Sequence, residues 1–201
     1  MIAIIDYGAG NMKSLQFALN RLHLDSRLTV DEKTIKESEA IILPGVGAFH
    51  DAMQSLRLAG LPEILQSEVK RGKPILGICL GMQLFYETSY EDGNWEGLQF
   101  LEGEVKRISD SVKVPHMGWN TLTKHQDAPL LNQVDETDYV YFVHSYKVVN
   151  HDKKTLLAST SYGGEIPAIV QHNNLIGMQF HPEKSGAAGL QLLKTFGEMI
   201  S

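Results

Sequence analysis

The chain is almost without cysteine: among 201 residues only Cys79 carries a thiol. That excludes an intramolecular disulfide and any zinc cluster built on cysteines. Long apolar runs are missing as well. No uncharged stretch approaches the ~18 residues needed to span a bilayer, so no membrane-spanning helix is expected. The opening MIAIID reaches Asp6 with no basic region before it, which gives no sign of a signal peptide. A cytoplasmic protein is the expectation. Positive charge is sparse too: the formal net charge is −6, and Lys70, Arg71 and Lys73 are the tightest basic group. The electrostatic footprint of a nucleic-acid binder is therefore absent. The sequence has no repeat, no low-complexity tract and no G-x-x-x-x-G-K-[ST] phosphate loop. Neither a metal nor a cofactor is expected.

What is present is enough length for a sizeable core, since a chain of this size buries roughly 70% of its unfolded surface. The first half alternates short β-rich runs with helical spacing. IAIID (2–6), SRLTV (26–30), AIIL (40–43) and PILGIC (74–79) read as strands. Helices are expected from Asn11 through Leu15, Ala18, Leu19 and Leu22, and over 49–58 and 61–71. Such alternation implies a parallel sheet with helices on both faces. Beyond about residue 98 strands follow one another: EVKRI (104–108), YVYFVHSY (139–146), TLLASTSY (155–162) and the run 168–181. Asn173-Asn174 is the expected hairpin tip within the last. The segment 186–200 reads as a helix with Leu190, Leu193 and Phe196 on one face. One α/β domain over 1–201 is expected: three layers, with a mixed, mostly parallel central sheet.

Cys79 stands at the carboxyl end of PILGIC, inside G-x-C-x-G, with helix-compatible GMQLFYE after it. This spacing is the cysteine counterpart of the nucleophile elbow, a strained strand-to-helix turn that leaves no room for flanking side chains. A sulfur at a helix N-terminus is favoured as thiolate, and the Leu80 N–H suits an oxyanion. An inert buried cysteine beside two structural glycines fits the same pattern. A nucleophile needs a base and the base an orienter. His181 and Glu183, in HPE after an apolar strand, have spacing that places both on one side of an extended segment. An H-x-E pair on the surface also arises by chance. PGVGAF (44–49), after AIIL, offers N–H groups for a second oxyanion donor or simply a tight loop into a helix.

Together GICLGMQ, PGVGAF and HPE resemble the class I glutamine amidotransferases, a flavodoxin-like α/β family that takes ammonia from glutamine with a Cys–His–Glu triad. DYGAGNMKSL (6–15), PHMGWN (115–120), YFVHSY (141–146) and HPEKS (181–185) are similar to the branch that serves imidazole glycerol phosphate synthases in histidine biosynthesis. The resemblance implies Cys79 as nucleophile, His181 as base and acid, and Glu183 as its orienter. It implies an oxyanion hole from Val46, Gly47 and Leu80, and L-glutamine held by Gly45, Gly47, Gln83, Ser145 and Tyr146. It further implies a heterodimer with a (β/α)₈-barrel cyclase subunit that receives the ammonia, and Asn11, Trp119, Tyr141 and Lys184 facing it. Gln83 also suits a solvated helix position, Trp119 and Tyr141 also suit a core, and His116 and His144 also suit structural roles. Amidotransferases feeding anthranilate, aminodeoxychorismate or pyridoxal phosphate synthesis, a stand-alone cysteine hydrolase and a non-enzymatic binding module are the competing readings.

Overall fold

The structure, a computed structural model, describes residues 1–8 and 12–200; Asn11 lies outside the described residues. The first half forms β1 (Ile2–Ile5), α1 (Met12–Arg21), β2 (Ser26–Thr29), α2 (Glu32–Glu37), β3 (Ala40–Gly45), α3 (Phe49–Leu58), α4 (Leu61–Lys70), β4 (Ile75–Cys79) and α5 (Leu80–Gln83). The second half forms β5 (Tyr86–Ser89), β6 (Trp95–Glu96), β7 (Leu101–Arg107), β8 (His116–Thr121), β9 (Thr123–Lys124), β10 (Tyr139–His144) and β11 (Tyr146–Val149). It continues with β12 (Leu156–Ser161), β13 (Glu165–His172), β14 (Leu175–Met178) and α6 (Gly186–Met199).

The central sheet runs β2-β1-β3-β4-β14-β13-β12-β9. It is parallel from β2 to β14 and antiparallel beyond. Strands β1, β3, β4 and β14 are buried throughout, because helices cover both faces. The period of two along β1 decides which side each residue joins. Ile2 and Ile4 pack with Leu15 and Leu19 of α1 and with Leu192, Leu193 and Phe196 of α6. Ala3 and Ile5 pack with Phe49, Met53 and Leu56 of α3 and with Leu61 and Leu65 of α4. On α6, Leu193 and Phe196 are fully buried and Leu190 only partly.

Two expectations need correction, and one helix is an addition. YVYFVHSY is not one strand: it breaks at Ser145 into β10, paired with β8 in a two-stranded ribbon, and β11, in the sheet β11-β7-β5-β6. Each half satisfies its backbone groups on a different partner, so the apolar run serves two sheets. The helix after Cys79 is a single turn, Leu80–Gln83, and Tyr86 and Glu87 of GMQLFYE already belong to β5. So short a helix has little macrodipole, and only its first free N–H groups remain to act on the sulfur. Helix α2 was not foreseen. It buries only Ile35 and starts because the Asp31 carboxylate accepts from the Thr34 N–H at 2.8 Å. The hairpin turn lies at Asn173-Asn174 as expected, with His172 paired to Leu175 and Asn173 at φ 52°.

Candidate active site

Cys79 ends β4 at φ 55°, ψ −112°, a conformation that costs an L-residue on the order of 1–3 kcal/mol. The strain persists because the surroundings fix it. A Cβ on Gly77 would come within 2.8 Å of Met82 Cα and of the Gly81 carbonyl oxygen. A Cβ on Gly81 would come within 1.8 Å of the Leu43 carbonyl oxygen. Gly45 of β3 sits opposite Cys79 in register, where a Cβ would meet the Tyr7 hydroxyl at 2.6 Å. That hydroxyl donates to the Pro44 carbonyl at 2.7 Å, tying the start of PGVG to the segment just after β1. Gly47 follows at φ 93°, in the left-handed region that favours glycine.

His181 is brought to Cys79 by β14, which pairs with β4. Its Nδ1 donates to Glu183 Oε1 at 2.9 Å, with both side chains 5% exposed. Nε2 is left for Cys79. Burial pushes the imidazole down, but Cys79 and Glu183, by hydrogen bonding and by charge, outweigh it and hold the ring up at about 9. At neutral pH it is therefore an imidazolium ready to give up a proton at Nε2. The segment is clasped to β10. The His181 N–H donates to the Tyr141 carbonyl at 3.0 Å. The Ser185 hydroxyl donates to the His181 carbonyl at 2.6 Å and accepts from the Tyr141 N–H at 2.9 Å.

These side chains open on a cavity of about 370 Å³ lined also by Val46, Gly47, Leu80, Gln83, Ser145, Tyr146 and Lys184. Glu183 stands behind His181, in a small recess with Gly45. The cavity additionally meets Glu91, Pro115, Val143 and His144, none of which the sequence pattern singled out as site residues. Glu91 accepts from the Phe49 N–H at 2.6 Å. Burial raises its pKa against that hydrogen bond. Nothing in YEDGN marks it, because its position depends on a loop packing against the start of α3.

His144 donates from Nδ1 to the Tyr146 carbonyl at 2.8 Å, so its Nε2 accepts from His116 Nδ1 at 3.0 Å. Desolvation pushes both rings down to about 4, so both are neutral at pH 7. Trp119 and Tyr141 lie elsewhere, opposite each other on the ribbon of β8 and β10 with ring centroids 5.8 Å apart. Met117, Trp119 and Tyr139 are all more than half exposed there.

A parallel sheet, a cysteine elbow at its carboxyl edge and a His–Glu pair beside it define a class of enzyme domain. The family model for class I glutamine amidotransferases matches residues 3–199, and the chain belongs to that family. It is 62% identical, over the full length of both chains, to the imidazole glycerol phosphate synthase subunit HisH of Oceanobacillus iheyensis. It is 51% identical to the subunit of the same name in Caldanaerobacter subterraneus subsp. tengcongensis, covering 100% of this chain and 98% of that one. Among solved structures, one titled as a glutamine amidotransferase superposes with a TM-score of 0.78 at 18% identity, covering 99% of this chain and 98% of that chain. PurLQS from Thermotoga maritima gives 0.77 at 19%, covering 100% and 98%. At such identities these two establish the fold alone.

Proposed function

We propose that the chain is a glutaminase subunit of imidazole glycerol phosphate synthase, one domain over 1–201 that hydrolyses L-glutamine to L-glutamate and ammonia for histidine biosynthesis. The observation that carries the reading is the meeting of Cys79 and His181 in one cavity at the sheet edge, with Glu183 hydrogen-bonded to His181 from behind. The 62% identity to the Oceanobacillus subunit over the full length supports the particular synthase over other amidotransferases.

The Cys79 thiolate attacks the amide carbon of glutamine. The oxyanion is received by the Leu80 N–H and by an N–H of Val46 or Gly47; removing one such donor costs about 10²–10³ in rate. His181 gives its proton to the departing ammonia, leaving a glutamyl thioester. The neutral ring then takes a proton from water, which releases glutamate and restores the thiolate–imidazolium pair. Glu183 holds the tautomer and offsets the imidazolium charge.

At the other end of the substrate, the Glu91 carboxylate meets the α-ammonium. The Tyr146 carbonyl is committed to Gln83 and His144, and the Ser145 carbonyl to the Ile108 N–H. That turn therefore meets the substrate carboxylate through N–H groups. Both amide hydrogens of Gln83 are used inside the protein, so its Oε1 is what faces glutamine. The ammonia passes to a cyclase subunit in a cytoplasmic heterodimer, with Trp119, Tyr141 and Lys184 on the partner side.

The test is labelling with a diazo-ketone glutamine analogue followed by mass mapping. One adduct on Cys79, absent in Cys79→Ser, is expected. No label on Cys79, even with the cyclase present, would return it to a packing role. Glutamate production is expected to rise when the cyclase and its nucleotide ligand are added, and equal rates would refute the coupling.

A further inference from the structure

Gln179 directly follows β14, is fully buried, and does not line the cavity. A residue needed only for packing there would be apolar, as the four before it are. Its amide orientation is dictated by its neighbours. The Tyr146 carbonyl can only accept, so the Gln83 NH₂ must face it, at 3.0 Å. The same nitrogen lies 2.9 Å from Gln179 Oε1 and donates to it. The Gln179 NH₂ must then face Cys79 Sγ, at 3.8 Å. The reverse orientation would set two NH₂ groups against each other.

The sulfur also lies 3.8 Å from the Val143 carbonyl oxygen, which accepts from a thiol but repels a thiolate. We propose that Gln179 is a positioning residue for the nucleophile: clamped by Gln83, it aims an N–H at Cys79 Sγ, fixing the sulfur's direction and favouring the thiolate over the thiol. The same clamp links the sulfur to the Tyr146 carbonyl, so nucleophile and substrate turn share one hydrogen-bonded frame. This rests on the reading of Cys79 as nucleophile.

Cys79 is the only cysteine, so iodoacetamide alkylation of the intact chain, without glutamine, reads its sulfur directly. Wild type is compared with Gln179→Met, which keeps length and removes the donor, and with Gln179→Glu, which keeps shape and replaces donor with acceptor. Alkylation at pH 7 is expected to fall about tenfold in Gln179→Met and further in Gln179→Glu, with the pH profile displaced upward. In the complex with the cyclase, kcat falls while KM for glutamine stays within about twofold. Wild-type alkylation rate and profile in either folded variant overturns the proposal, and a lowered melting temperature alone counts against it. Should the diazo-ketone analogue fail to label wild-type Cys79 while alkylation still responds to Gln179, the nucleophile reading falls and the positioning of the sulfur stands.

Discussion

Gly81 lies directly against the Leu43 carbonyl: a Cβ on it would stand 1.8 Å from that oxygen, closer than any real contact. Both partners are backbone, so no side chain can yield. Gly81→Ala must push β3 away from the turn after Cys79, and with it the Val46–Gly47 loop. Insoluble protein or a loss of at least about 3 kcal/mol is the expected outcome. Urea denaturation of any soluble fraction measures it, and a wild-type midpoint would contradict this packing.

Glu183→Gln keeps the shape beside His181 and removes the charge. Glutaminase kcat in the complex is expected to drop about 10²–10⁴, because the imidazolium loses its support and the tautomer its orienter. The stability effect has a defined sign. A ring held up at about 9 contributes stability that is complete below its unfolded value of 6.5. That contribution is lost as pH rises through about 9. The difference in unfolding free energy between wild type and His181→Gln should therefore narrow from pH 6.5 to 9.5.

His116 and His144 act in the opposite direction. Their pKa values fall to about 4 when folded, so between about 4 and 6.5 the unfolded chain binds more protons. Stability drains as pH drops through that window, by up to a few kcal/mol for the pair. Denaturation at pH 7 and pH 5 tests this: the wild-type loss should shrink in His144→Gln.

Trp119→Ala should leave folding of the isolated chain unchanged, since the ring is 55% exposed. Affinity for the cyclase subunit is expected to fall by about 2 kcal/mol or more, the size of an aromatic hot spot. Calorimetric titration of one subunit into the other measures it. Unaltered affinity would place the partner on another face.

The buried strands were legible because a parallel sheet covered on both faces leaves continuous apolar runs such as AIIL. The elbow was legible because Gly77 and Gly81 answer a steric demand only a few bonds away. Strand β8 was not seen as a strand. Its inward positions are His116, Gly118 and Asn120, polar or small residues that complete a hydrogen-bonded row rather than an apolar stripe. The break at Ser145 was hidden because nothing local separates a strand that changes sheets from one that stays. Glu91 and Gln179 reach the site through partners 42 and 100 residues away, a distance that spacing rules do not cover.

The Ser185 clasp means that His181 does not hang from the central sheet alone. Its peptide N–H and carbonyl are both tied to Tyr141, whose ring stacks edge-on against Trp119 on the outer ribbon. Where the imidazole stands is thus partly decided outside the cavity. With the proposed cyclase docked on this ribbon, substitutions along β10 will not sort cleanly into those that alter docking and those that alter turnover. A single shift of that strand registers in both.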